Sequence, residues 1–239
     1  PIWRNWVTRL ESGRSVKAFF NRFVNSFGKN LIFFVERILG FHAIQEPVIP
    51  DWAYTLCAHS AEIHEEFLKL YDTELREFKV LSPEQARITS GNSWKVFILK
   101  AYGRAFVHNA KSCPNTALLC NKIPEITSVM FSILESGTHI IPHRGPYAGV
   151  LRCHIPLIVP KGDCGIRVGS RVYRWQRAVP LVFDDTIDHE AWNSTQSRRV
   201  VLFIDYVRPL PRMIAMLNRF MIWLIGKSPF VGRAIRASL

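Results

Sequence analysis

Two histidines 46 positions apart, His143 and His189, each close an apolar run, and arginines follow on later apolar segments. The first lies in His143-Arg144-Gly145-Pro146-Tyr147-Ala148-Gly149. The second lies in Phe183-Asp184-Asp185-Thr186-Ile187-Asp188-His189-Glu190-Ala191-Trp192, with Arg199 ten residues beyond it. Imidazole suits iron, zinc or copper, and two neutral imidazoles held on strands with positions left open would make a catalytic metal site. A buried arginine points to an anionic ligand, because a guanidinium without a partner is costly to bury.

Bringing such distant residues together requires a sheet folded back on itself. From Thr138 onward, apolar segments recur at intervals of about 8–15 residues with no helical pattern between them. Strands are expected over 138–142, 149–159, 165–168, 171–175, 179–183 and 199–207, with Gly169-Ser170 as a compact hairpin turn. Upstream, Gly91-Asn92 marks a turn into a strand over 93–102. A loop and short helix follow over 113–124, then a core strand over 126–134 in which Ser132 is the odd polar residue. The pattern predicts a mainly β protein with flanking helices, its core an antiparallel sandwich or jelly roll.

The flanks differ in character. Residues 1–41 alternate basic and aromatic residues, and Phe19, Phe20, Phe23 and Phe27 have helical spacing. That segment reads either as a helix packed on the domain or as an interfacial anchor. Residues 40–51, with Pro47 and Pro50, read as a connector. Asp51 is placed to cap a helix over 52–79 whose acidic run (Glu62, Glu65, Glu66, Asp72, Glu74, Glu77) reads as a solvated face. His59 and His64 there lack i, i+4 spacing and read as surface residues. After Pro209 and Pro211, residues 213–225 are apolar on nearly every side, with Arg212, Arg219 and Lys227 spaced along them; this segment is too short to span a bilayer comfortably, and suits either lying in an interface or docking on the N-terminal helices. The chain thus divides into a basic aromatic N-terminal segment (1–50), a central domain with a leading helix (51–209) and a basic amphipathic C-terminal helix (210–239).

Net charge is +12 and hydrophobic residues make up 48% of the chain. The charge sits at the ends: residues 1–50 carry seven basic and three acidic residues, and 206–239 six basic and none acidic. Basic residues among bulky apolar ones suit an anionic membrane surface better than nucleic acid. The five cysteines are odd in number and lack CxxC spacing, which fits free thiols in a reducing compartment. The expected location is the cytoplasmic side, peripheral to a membrane. The chain starts at Pro1 rather than at a methionine, so a preceding anchor is left open.

Ordered short matches across 94–209 resemble the aspartyl/asparaginyl β-hydroxylase domain, a branch of the iron(II)- and 2-oxoglutarate-dependent oxygenases. They include Lys122-Ile123-Pro124-Glu125, Phe131-Ser132-Ile133, Gly137-Thr138-His139, Pro142-His143-Arg144-Gly145-Pro146, Leu151-Arg152-Cys153-His154, Phe183-Asp184-Asp185 and His189-Glu190-Ala191-Trp192. The resemblance implies a double-stranded β-helix. It implies iron bound through His143 and His189, with Gly145 where most such oxygenases carry a third, carboxylate ligand, as in the protein-hydroxylating members. It makes Arg199, assisted by Ser132, the cation for the far carboxylate of 2-oxoglutarate. Arg152 and His154 match residues at the cosubstrate and substrate, and Trp94 a tryptophan lining the same pocket. Asp185 and Asp188 could serve the metal directly or as acceptors for a ring N–H. Arg198 faces away if Arg199 faces in.

The implied reaction consumes molecular oxygen and 2-oxoglutarate, releases succinate and carbon dioxide, and hydroxylates an unactivated C–H bond. The substrate is left as either an Asp or Asn side chain of a peptide or protein, or an acyl chain of a membrane lipid, as in the related lipid A and ornithine-lipid hydroxylases. Val150 stands where protein hydroxylases carry a second arginine. The alternative is a non-catalytic peripheral membrane protein on a jelly-roll scaffold.

Overall fold

A computed structural model describes residues 42–70, 72–78, 88–90, 94–228, 231, 232 and 235. The chain divides into two compact units, Pro1–Phe41 and His42–Leu239. The helix expected over 16–27 and the turn at Gly91-Asn92 lie outside the described residues.

Twelve strands build two facing antiparallel sheets. The larger has the order β1 (Arg76–Glu77), β3 (Trp94–Ala101), β5 (Ile126–Leu134), β12 (Arg199–Val207), β7 (Val150–Ile158) and β10 (Leu181–Phe183), with β4 (Arg104–Ala105) also on β3. The smaller has the order β2 (Thr89–Ser90), β6 (Thr138–His143), β11 (His189–Asn193), β8 (Cys164–Val168) and β9 (Arg171–Tyr173). Chain-distant strands lie side by side in both sheets, and the result is the jelly roll expected from the strand spacing. Helices α1 (Asp51–Ala58), α2 (Ser60–Leu68), α3 (Val107–Ser112) and α4 (Pro114–Asn121) precede most of the sheet, and α5 (Arg212–Gly226) follows it.

Side-chain alternation explains the layering. Every residue of β12 is buried. Val200, Leu202, Ile204 and Tyr206 join Cys153, Ile155, Leu157, Phe131 and Ile133 in a core shared with Leu56, Ile63 and Phe67 of α1 and α2. Val201 and Phe203 face the other way, into a second core with Trp94, Val96 and Leu134 of the large sheet and Ile140, Ile166, Val168 and Ala191 of the small one. Arg199 shares the parity of Val201 and Phe203, so it enters the space between the sheets. Arg198 faces outward and pairs with Asp72 at 3.0 and 3.1 Å.

The single helix expected over 52–79 is corrected. It breaks at His59, ends at Leu68, and gives way to a short turn and to β1, which pairs with β3. Edge pairing overrides the helical composition there. Asp51 begins α1 without a side-chain cap. Glu66 is also corrected: it is buried and accepts bonds from the backbone N–H of Asn115 and Thr116 (both 2.8 Å) and from the Thr116 hydroxyl (2.6 Å). It thereby satisfies the orphan donors that open α4. All five cysteines are free and buried. Among the described residues no helix is long and apolar enough to cross a membrane.

Candidate active site

β6 and β11 are antiparallel neighbours, and His143, the last residue of β6, stands directly opposite His189, the first of β11. Their ring centroids are 4.2 Å apart. Each Nδ1 meets the backbone carbonyl two residues earlier, Ile141 at 2.8 Å and Ile187 at 2.9 Å. A carbonyl can only accept, so each Nδ1 carries its proton there and each Nε2 keeps a free lone pair. Holding the far nitrogen in this way sets the tautomer and ring orientation that a metal ligand needs. The supporting acceptors are therefore backbone carbonyls and not Asp185 or Asp188. Asp188 pairs with Arg167 at 2.9 Å. Among the described residues no group of three His, Cys, Asp or Glu side chains is arranged to hold a metal; His143 and His189 stand as a pair of imidazoles.

Gly145 accounts for the missing third side chain. Its N–H donates to the Asp185 carbonyl at 2.7 Å, and a Cβ at this position would overlap the Asp185 carboxylate. No carboxylate-bearing residue fits at 145 while Asp185 is present. Gly145→Ala is therefore expected to cost about 1–3 kcal/mol of stability by overpacking. Combining it with Asp185→Ala gives a loss smaller than the sum of the single losses, read from denaturant unfolding of the double-mutant cycle.

A cavity of about 350 Å³, including its open mouth, runs between the sheets and is lined by Trp94, Ser132, His143, Arg152, His154, His189 and Arg199, among others. All seven sequence-derived site residues thus meet in one place. Arg199 is 1% exposed, yet no carboxylate pairs with it among the described residues. Its Nη1 donates to the Ser132 carbonyl at 3.1 Å, its guanidinium lies 4.4 Å from the centre of the Trp175 ring, and its Nε has no hydrogen-bond partner. Burial lowers its pKa to about 10. His154 is in a similar state. Its Nδ1 accepts from the Trp175 indole N–H at 3.3 Å, and its buried Nε2 has no partner. Burial, then Arg199 and Arg152, push its pKa well down, so the ring is neutral and Nε2 carries the proton. Ser132 Oγ accepts from Trp94 Nε1 at 3.0 Å, which leaves its own proton to donate. Around one cavity, the buried Arg199 Nε–H and His154 Nε2–H thus lack acceptors beside the Ser132 hydroxyl, which is costly unless an anion enters.

Arg152 differs from Arg199. Its Nη2 meets Asp185 at 2.8 Å, its Nε meets Asp205 at 3.0 Å, and it lies 4.1 Å from the centre of the Phe203 ring. Two carboxylates offset its charge. Burial, with Asp205 and Asp184 nearby, raises the Asp185 carboxyl to about 6 against the pull of Arg152. Sequence reasoning gave Trp175 no place in the site: it closes the strand expected over 171–175, but β9 ends at Tyr173 and Trp175 follows in an irregular stretch. The same reasoning missed Asp205, which the alternation of β12 would have placed on the Arg199 face.

The metal-free site has a pH signature. Burial first, then His143 and Arg152, lower the His189 pKa to about 3; burial also lowers His143, and His154 as described. Below about pH 6.5 these imidazoles take up protons more readily in the unfolded chain than in the folded one, so the unfolded state binds more protons and stability falls as pH falls. Asp185 works the other way between about pH 4 and 6, but it is one group against three. The urea midpoint of metal-free protein is expected to drop steadily from pH 7 to 4; a flat profile contradicts the buried, neutral pair.

The fold and cavity define a jelly-roll protein in which two histidines and a buried arginine line one interior cavity. The chain belongs to the aspartyl/asparaginyl β-hydroxylase family, whose model matches residues 58–209. An ornithine lipid ester-linked acyl 2-hydroxylase of Rhizobium tropici is 40% identical over 197 residues, 81% of this chain and 70% of the relative. The human aspartyl/asparaginyl β-hydroxylase is 34% identical over 132 residues, 53% of this chain and 17% of that protein. A solved cupin 2 barrel domain protein from Salinispora arenicola is 7% identical, covers 54% of this chain and 86% of its own, and has a TM-score of 0.33.

Proposed function

We propose that this protein is an iron(II)- and 2-oxoglutarate-dependent hydroxylase whose substrate is an acyl chain of a membrane lipid. The observation that carries the cosubstrate is the fully buried Arg199, unpaired and flanked by the free Nε2–H of His154. His143 and His189 would hold iron through Nε2. Arg199, His154 and Ser132 would bind the far carboxylate of 2-oxoglutarate, and Trp94 would position Ser132 by its indole bond. Bound there, iron and 2-oxoglutarate supply the oxidative decarboxylation that lets dioxygen hydroxylate an unactivated C–H bond. Phe183, Phe203, Ile140 and Ile166 line the same space and exclude water.

The choice of a lipid rests on charge. Among the described residues that line the pocket, Arg199 is the one cation without a carboxylate partner, and 2-oxoglutarate would take it. An aspartyl carboxylate would find Arg152 already offset by Asp185 and Asp205, and Val150 in place of a further arginine. An acyl chain needs no such partner. The similarity to an acyl hydroxylase over 81% of the chain supports the same reading. The test is mass spectrometry after incubation with iron(II), 2-oxoglutarate and oxygen. One added oxygen on a lipid acyl chain is expected. One added oxygen on an Asp- or Asn-containing peptide, with none on lipid, contradicts the proposal.

A further inference from the structure

We infer that the exposed face of α5 docks on an anionic membrane surface. Helix α5 carries Met213, Met216, Leu217, Phe220, Trp223 and Leu224 at i, i+3, i+4, i+7, i+10 and i+11 spacing, which is one face of a helix. All six are at least 37% exposed, and Met213 is 71% exposed. A soluble monomer rarely shows so continuous an apolar stripe without a partner.

The stripe cannot turn inward, because the opposite face is fixed. Asn218 is fully buried; its amide donates to the Gly149 carbonyl at 2.8 Å and its carbonyl accepts from the Tyr147 hydroxyl at 2.7 Å. Gly226 packs so closely that a Cβ would lie 2.6 Å from the Tyr102 carbonyl. Tyr147 and Gly149 belong to the loop that begins at His143. The helix is therefore seated on the segment leading out of the metal-binding pair.

Charge selects the occupant. The other exposed positions of the helix and its C-cap are Arg212, Arg219 and Lys227, and no acidic residue occurs after Asp205. Phe220 and Trp223 stack at 5.8 Å, and the Lys227 ammonium lies 5.7 Å from the Trp223 ring centre. Apolar and aromatic side chains on one face, with long cationic side chains beside them, suit the boundary between acyl chains and anionic headgroups. A protein partner would more often meet a mixture of charges. The inference deepens the lipid-substrate reading, and rests on it only for why the pocket should sit at a bilayer.

The test uses the full chain and sedimentation with vesicles. Wild type is expected to bind vesicles rich in phosphatidylglycerol and to bind phosphatidylcholine vesicles weakly. Phe220→Glu combined with Trp223→Glu should lower the bound fraction at least about tenfold. The variant should keep the wild-type circular dichroism and the wild-type succinate release from 2-oxoglutarate without vesicles, since both side chains are exposed and neither lines the cavity. Equal binding by wild type and variant, or no wild-type binding to anionic vesicles, overturns the inference. So does a wild-type dimer that the two substitutions dissociate, because the stripe would then be a self-association face. Vesicle binding lost in the variant, with no lipid hydroxylated by wild type, would uphold the docking surface and sink only the substrate reading.

Discussion

His189→Ala is expected to abolish hydroxylation and metal binding together, and His143→Ala to do the same. On the proposed function, iron would meet two imidazoles, and among the described residues no third side chain joins them, since Gly145 is closed off by Asp185. Losing a partner that merely orients a ligand costs about 10–100-fold in metal affinity or activity. Losing one of two ligands must cost more, and titration with Mn(II) or Co(II) should show no saturable site at millimolar metal. The fold should survive. His189 is buried and neutral in the metal-free protein, and burial depresses its pKa to about 3. Removing it leaves an apolar-lined gap but also removes a group that resists acid. The metal-free variant should be less sensitive to pH between about 6.5 and 4 than wild type. A structural histidine would give the opposite pattern: lower stability throughout and undiminished metal binding per folded molecule.

The second large effect belongs to Arg199. Arg199→Met should raise the 2-oxoglutarate concentration needed for half-maximal turnover by about 10²–10³-fold or more, because truncating a buried hydrogen-bonded charge costs about 2–5 kcal/mol. Stability should move differently. The guanidinium is buried without a carboxylate, and the Ser132 carbonyl and the Trp175 ring offset its desolvation only in part. Replacing such a charge by an apolar side chain of similar length is often neutral or stabilising. Metal-free Arg199→Met is therefore expected to unfold at or above the wild-type temperature. 2-Oxoglutarate with Mn(II) should stabilise wild type and not the variant. A variant that binds 2-oxoglutarate normally would return the anion site to Arg152.

Much of this site was legible through the family resemblance, and strand periodicity agreed with it. Alternation on β12 makes Arg199 and Arg198 face opposite ways, and in the structure Arg199 is buried and Arg198 pairs outside with Asp72. Alternation on β7 puts Arg152 and His154 on one face, and both line the cavity. The strand that carries His189 was not among those expected. Its inward positions are His189, Ala191 and Asn193, and a five-residue strand whose inner face holds a ligand and an amide lacks the apolar alternation that marks strands. Asn193 spends its amide on the Leu134, Glu135 and Ser197 carbonyls, tying down the next turn. Pairing between distant segments was equally hidden. Nothing in the local sequence says that Asp185 and Asp205, twenty residues apart, converge on Arg152, or that Glu66 caps a helix fifty residues away. The pairing sets the charge of the pocket: among the described residues that line it, Arg152 is offset by Asp185 and Asp205, and Arg199 has no carboxylate partner.

The central claim is that one ion and one dicarboxylate share this cavity, the ion on His143 and His189 and the distal carboxylate on Arg199. An anaerobic crystal structure with Mn(II) and 2-oxoglutarate tests it most directly. The account predicts a single anomalous peak between the two Nε2 atoms and the far carboxylate within hydrogen-bond distance of Arg199 and His154. Metal bound elsewhere, or a carboxylate lodged on Arg152 with Arg199 left bare, would contradict it.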